Sequence, residues 1–242
     1  MNQITDLPRE VNSAGLRERL YAGYSIALFT LMAATALVLS LFLPTLRARR
    51  QVAGAFSRGF FRAAGIPLRV SGIEHLPRVP CVVVANHASY IDGIVAVAAL
   101  PPEFAFVIKK EMVRVPLASL LLRRLGSQFV ERFDRHKGGS DARRVWKLAA
   151  TGQSLVFFPE GTFHATRQIG KFLGGAFATA ERSQMHVVAV AIHGTREVLP
   201  SGSVMLRLKP IRFEILAVLH PEGARQRSRD LIAQAVGEPL AP

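Results

Sequence analysis

The sequence predicts an α/β protein, a central, mostly parallel sheet flanked by helices and preceded by an N-terminal membrane helix. Three observations carry that expectation. From residue 66 onward, short apolar runs alternate with helical stretches, as in proteins with helices on both faces of a sheet. The strand runs are continuously apolar, as strands buried on both faces are. Ahead of them, Leu20 to Leu46 contains no charged residue and exceeds the roughly 20 residues that a bilayer core requires.

Residues 1–19 read as a polar lead-in, with Arg9, Arg17 and Arg19 balanced by Asp6, Glu10 and Glu18. Residues 20–46 read as an uncleaved membrane anchor, because a signal peptide has a shorter apolar core and a small-residue exit. A hairpin or a helix anchored to one face is the competing reading. Residues 47–65 space apolar residues helically between arginines, as a helix on the membrane surface or one packed on the domain would. Arg47, Arg49 and Arg50, just after the apolar run, predict that residues 66–242 form a domain on the cytoplasmic side of an inner membrane.

Within 66–242 the expected strands are PLRVSGI, CVVVAN, FAFVIKK, SQFVER, SLVFFPEG and HVVAVAIHG, with two more in VMLRLKPIRFEIL. The expected helices are DGIVAVAAL, PLASLLLRRL, GSDARRVWKLAATG, GGAFATAERS and a closing GARQRSRDLIAQAVG.

The 242 residues carry a net charge of +14, and the excess lies beyond residue 46. Such a surface attracts polyanions, and the apolar segment favours anionic lipid headgroups over nucleic acid. The interleaved aromatic and basic residues of a single-strand binder are absent, so no nucleic-acid partner is expected. The single cysteine, Cys81, excludes an intramolecular disulfide and a cysteine-rich zinc site. No G-x-S-x-G elbow occurs, which argues against a serine hydrolase.

In open α/β sheets, ligands collect beyond the carboxyl ends of the strands. Two such ends carry polar groups that stand out. CVVVAN runs into His87, with Asp92 five residues on, and SLVFFPEGT ends in Glu160, Gly161 and Thr162. SQFVERFD supplies a third, Arg132. Ser89 and Asp92 also fit a helix capping box, a role compatible with supporting an imidazole. His87, Asp92, Glu160 and His164 match no familiar metal spacing, so no metal is expected.

With these motifs the sequence resembles the glycerolipid (lysophospholipid) acyltransferases, which include 1-acylglycerol-3-phosphate acyltransferases, over roughly residues 66–215. His87 to Asp92 fits the histidine, four residues, aspartate motif, and Phe158 to Thr162 fits FPEGT. Arg132 fits the arginine of the second motif, Lys109 to Met112 resembles KKEL, and Gly194-Thr195 resembles a late GT. The resemblance implies transfer of a fatty acyl group from an acyl carrier protein or coenzyme A thioester to the free hydroxyl of a lysophospholipid. Lysophosphatidate is the first expected acceptor, and no cofactor is involved. It implies His87 as general base, Asp92 as its orienting carboxylate, Glu160, Gly161 and Thr162 at the acceptor, and Arg132 and Lys109 on its phosphate. Backbone N–H groups after His87 or near Gly161 are candidate oxyanion donors. Phe163 stands where the family has an arginine and Leu173 where it has a lysine. Arg167 or Lys171 is the expected substitute, and another lysolipid, such as a lyso-aminolipid, stays open. A non-catalytic lipid-binding membrane protein is the remaining alternative.

Overall fold

The structure, a computed structural model, describes residues 15–131, 135–162 and 166–241. Seven strands form one sheet in the order β1-β7-β6-β2-β5-β3-β4. They are β1 (Leu68–Ser71), β2 (Cys81–Ala85), β3 (Phe104–Lys109), β4 (Gln128–Val130), β5 (Ser154–Phe157), β6 (His186–His193) and β7 (Ile211–Leu219). Every pairing is parallel except β6 with β7. The expected α/β architecture is therefore the observed one.

The central strands are apolar because both faces are covered. All five residues of β2 are buried, and alternate side chains serve two cores. Cys81, Val83 and Ala85 pack with Phe60 and Phe61 of α2 (Leu46–Ala63) and Val95 of α3 (Asp92–Ala99). Val82 and Val84 pack with Val145 of α5 (Arg135–Ala150), Phe177 of α6 (Gly175–Ser183) and Ile232 of α8 (Ala224–Val236). Burial also pushes the Cys81 thiol up to about 11, so this cysteine is a core filler.

The amino-terminal helix α1 spans Leu16–Phe42, four residues ahead of the expected 20–46. Pro44 cannot continue a helix, and Thr45 then caps α2, its side chain accepting from Ala48 N–H at 3.2 Å. The helices form an antiparallel hairpin. The Tyr21 and Tyr24 hydroxyls donate to the Ala64 and Ala63 carbonyls, each at 2.9 Å, and Phe29 meets Phe60 edge-on. At the other end, Arg124 of α4 (Pro116–Arg124) donates to the Ser40 carbonyl at 3.1 Å. Two of the three arginines after the apolar run are anchors. Arg49 donates to the Leu43 carbonyl at 2.8 Å, and Arg50 to Leu125 at 2.9 Å and Pro102 at 3.2 Å.

Only one strand forms in VMLRLKPIRFEIL. Residues 203–210 make no ladder, because β1 already pairs with β7 where a further strand would enter and Pro210 offers no N–H. A short helix, α7 (Thr195–Val198), follows β6 and was not foreseen. Gly194 makes that turn possible: its φ is +82°, and an added Cβ would lie 2.1 Å from the Pro210 carbonyl oxygen.

Candidate active site

Sheet register assembles the site. β2 and β5 are parallel neighbours with Val84 opposite Phe157, so three residues further along each chain His87 comes beside Glu160. Asn86 fixes the exit from β2 on its other side. Its side-chain amide donates to the Ile192 carbonyl at 2.9 Å, and its oxygen accepts the Ile192 N–H at 2.8 Å.

His87 Nδ1 lies 2.8 Å from Asp92 Oδ2, and that carboxylate is fully buried at the first residue of α3. The same oxygen accepts the backbone N–H of Ala88 at 2.7 Å and of Ser89 at 2.8 Å. Three donors thus converge on that one oxygen. With the carboxylate oxygen as acceptor, the ring carries its hydrogen on Nδ1, which puts its lone pair on Nε2. The imidazole also stacks on Phe158, with centroids 4.6 Å apart. Capping and imidazole support thus coexist in Asp92. The Ser89 hydroxyl does not complete the capping box, because it donates to the Leu199 carbonyl at 2.7 Å.

Glu160 uses both oxygens on backbone amides. Oε1 accepts the His87 N–H at 2.8 Å and Oε2 accepts the Gly170 N–H at 2.7 Å. Burial raises its pKa above the usual carboxylate range, and those two N–H groups oppose the rise. Gly161 adopts φ +81° with its N–H on the Phe158 carbonyl at 3.1 Å, and Thr162 is exposed beside it. The amides proposed as oxyanion donors are engaged locally. Ala88 and Ser89 donate to Asp92 and Gly161 to Phe158, so none of the three is oriented outward.

Lys109 closes β3, next to β5, on the same sheet edge, and its ammonium makes no hydrogen bond or ion pair among the described residues. Arg167 is paired, its guanidinium 2.7 Å from Glu197 of α7. Lys171 is exposed beside Gly170. Arg132, Phe163 and His164 lie outside the described residues. Sequence reasoning gave no role to Asn86, to the Phe158 ring or to the Gly170 loop. Asn86 and Phe158 were signalled only by standing in the same motifs as His87 and Glu160, and nothing pointed to Gly170, ten residues beyond Glu160.

Residues 67–193, more than half of the chain, match the family model described as Acyltransferase. The chain belongs to the acyltransferase family. A chloroplastic 1-acyl-sn-glycerol-3-phosphate acyltransferase of Brassica napus is 32% identical over 136 residues, covering 55% of this chain and 39% of that protein. A lyso-ornithine lipid O-acyltransferase of Pseudomonas aeruginosa is 33% identical over 143 residues, covering 57% of this chain and 53% of that protein. The chain thus spans about half or less of the length of these relatives. The crystal structure of a 1-acyl-sn-glycerophosphate acyltransferase, PlsC, from Thermotoga maritima shares the fold at TM-score 0.76 and 21% identity, over 92% of this chain and 95% of that one. The acyltransferase fold therefore takes in the α1–α2 hairpin as well as the sheet.

Proposed function

We propose that this acyltransferase moves a fatty acyl group from a coenzyme A or acyl carrier protein thioester to the free hydroxyl of lysophosphatidate, giving phosphatidate. The observation that carries the proposal is the His87–Asp92 pair at the carboxyl end of a buried strand, within a chain of this family.

A hydroxyl attacks a thioester only as it loses its proton. His87 Nε2 takes that proton while the hydroxyl oxygen bonds to the thioester carbonyl carbon. The imidazolium that forms is stabilised by Asp92 through Nδ1–H. Collapse of the tetrahedral intermediate breaks the carbon–sulfur bond, and the imidazolium returns its proton to the departing thiolate. The acceptor oxygen is the nucleophile, so no acyl-enzyme forms, and no cofactor is needed because the thioester brings its own activation. Lys109, together with Arg132, holds the acceptor phosphate by charge-assisted bonds. Gly161 and Thr162 border the acceptor.

Two observations favour a second reading, a lyso-aminolipid acceptor. Arg167 is neutralised by Glu197, and a relative of similar identity is named for lyso-ornithine lipid. A panel assay separates the two. The full-length protein is supplied with both thioester donors and with lysophosphatidate, lysophosphatidylglycerol, lysophosphatidylethanolamine and lyso-ornithine lipid. Product from lysophosphatidate supports the first reading; product from an aminolipid alone supports the second. No product from any acceptor overturns both.

We also propose that the protein is held on the cytoplasmic face of a membrane through α1, the one helix among the described residues long and apolar enough to cross a bilayer. Its packing favours an in-plane position. Tyr21 bonds to Ala64 at the end of α2, which packs on the sheet, and Ser40 bonds to Arg124 of the domain; the 19 helical steps from Tyr21 to Ser40 span about 28 Å, close to the thickness of a bilayer core. A helix tied to the domain at both ends cannot cross the bilayer while the domain stays in water. Leu31, Val38 and Phe42 are 66%, 52% and 81% exposed and give it a lipid-facing side.

A further inference from the structure

The family resemblance assigns Glu160 to the acceptor, yet its carboxylate is committed elsewhere. It bridges two backbone amides from distant parts of the chain, His87 N–H on one oxygen and Gly170 N–H on the other. Each end of that bridge lies in a differently built part of the chain.

The Gly170 end is fixed independently. The Gly170 and Ile169 carbonyls accept from the Arg229 guanidinium at 2.9 and 3.1 Å, and the Phe172 carbonyl accepts from Arg225 at 2.7 Å. Ile169 N–H donates to the Pro239 carbonyl, Ala241 N–H to the Ile169 carbonyl and Leu173 N–H to the Pro159 carbonyl, at 2.8–2.9 Å. The space behind Oε2 is also closed, because a Cβ added at Gly170 would lie 2.8 Å from it.

At the His87 end, the Asn86 side chain is held by Ile192 and the Ala88 and Ser89 N–H groups by Asp92, while the His87 N–H between them goes to Glu160. β2 ends at Ala85, so the His87 N–H has left the strand ladder, and Glu160 is its acceptor. A partly buried donor that loses its acceptor pulls its backbone toward another partner. A shift of about 1 Å at a reacting group can cost about 10²-fold in rate.

The geometry points to Glu160 as a positioning residue: its carboxylate clamps the His87 backbone to the rigid 169–173 loop and does not bind the lysolipid. The clamp works only as the ionised carboxylate, because both partners are donors. A glutamine presents an NH2 to one of the two N–H groups, so at most one bond survives.

The kinetic arm of the test rests on the acyltransferase reading above; a second arm does not. Glu160→Gln and Gly170→Ala are made in the full-length protein. Gly170 lies outside the left-handed region, so the alanine meets only the Oε2 contact. With the acceptor found active in the panel, E160Q should lower kcat about 10²-fold while KM for that acceptor stays within about twofold. G170A should act in the same direction and more weakly. A tenfold rise in acceptor KM with kcat retained would overturn the proposal, since that pattern belongs to a residue that binds the acceptor. Backbone hydrogen exchange read by mass spectrometry needs no activity. E160Q should speed exchange in peptides covering residues 87–89 and 169–171, and unchanged exchange there also overturns the clamp. If E160Q does not fold, G170A carries both readouts. If the wild type acylates nothing, the functional reading fails and the exchange result still decides the clamp.

Discussion

At the scale of single residues, the account rests on where protons and lone pairs are held. Asp92 accepts from the His87 ring and from two backbone amides with one oxygen, and its other oxygen meets no donor among the described residues. Asp92→Asn keeps that shape and removes the charge that stabilises an imidazolium. We expect a loss of about 10²-fold or more in kcat, measured as initial rates of acyl transfer, with a smaller change in acceptor KM. His87 and Asp92 were legible in the sequence because they sit five positions apart at the end of a recognisable strand. The grip of Asn86 on Ile192 was not, because its partner lies 106 residues away and only the β2–β6 pairing brings the two together. The role of Glu160 was hidden for the same reason. A motif names the carboxylate, but the register of β2 against β5 decides that His87 N–H is what it meets.

At the scale of elements, continuous apolar runs identified β2, β3, β5 and β6, and helical spacing identified the flanking helices. Two misjudgements had a common cause, a proline inside an apolar run. Pro44 ends α1 at Phe42 instead of letting it run to Leu46, and Pro210 separates a stretch without a ladder from β7. The arginines after the apolar run are a topological signal in the sequence. Two of them bond backbone carbonyls of the hairpin and the domain, so their charge is partly spent on folding. If α1 lies in the membrane plane, the triple variant Leu31→Glu, Val38→Glu, Phe42→Glu should release the protein from anionic vesicles. All three residues point away from the domain and no core is disturbed, so its thermal unfolding should change little. Flotation of wild type and variant on a density gradient makes the comparison. Continued flotation of the variant would argue for a helix held in the bilayer by more than this face.

At the scale of the whole molecule, one sheet edge gathers His87, Glu160, Lys109 and the β6–α7 turn, while the hairpin carries the apolar surface. The +14 net charge is consistent with work against an anionic surface and with negatively charged donors. Stability should depend on pH through His193 at the end of β6. Burial first, and then the Arg212 guanidinium, hold its pKa below the ordinary imidazole value of 6.5, partly offset by Glu214. The unfolded chain therefore takes up a proton that the fold resists, and stability falls as pH drops through about 6.5. Tm should decline between pH 7.5 and 5.5, and His193→Gln should flatten that decline when both are followed by circular dichroism.

The central claim is that His87 is the base for acyl transfer. Its most direct test is the transfer rate of His87→Ala against wild type, on vesicles, with the active acceptor and both thioester donors, and with vesicle-bound protein quantified in the same samples. The account predicts that transfer falls to background while the bound fraction is unchanged, because His87 contributes to neither core nor to α1. Transfer near the wild-type rate, with the variant folded and bound, would contradict it.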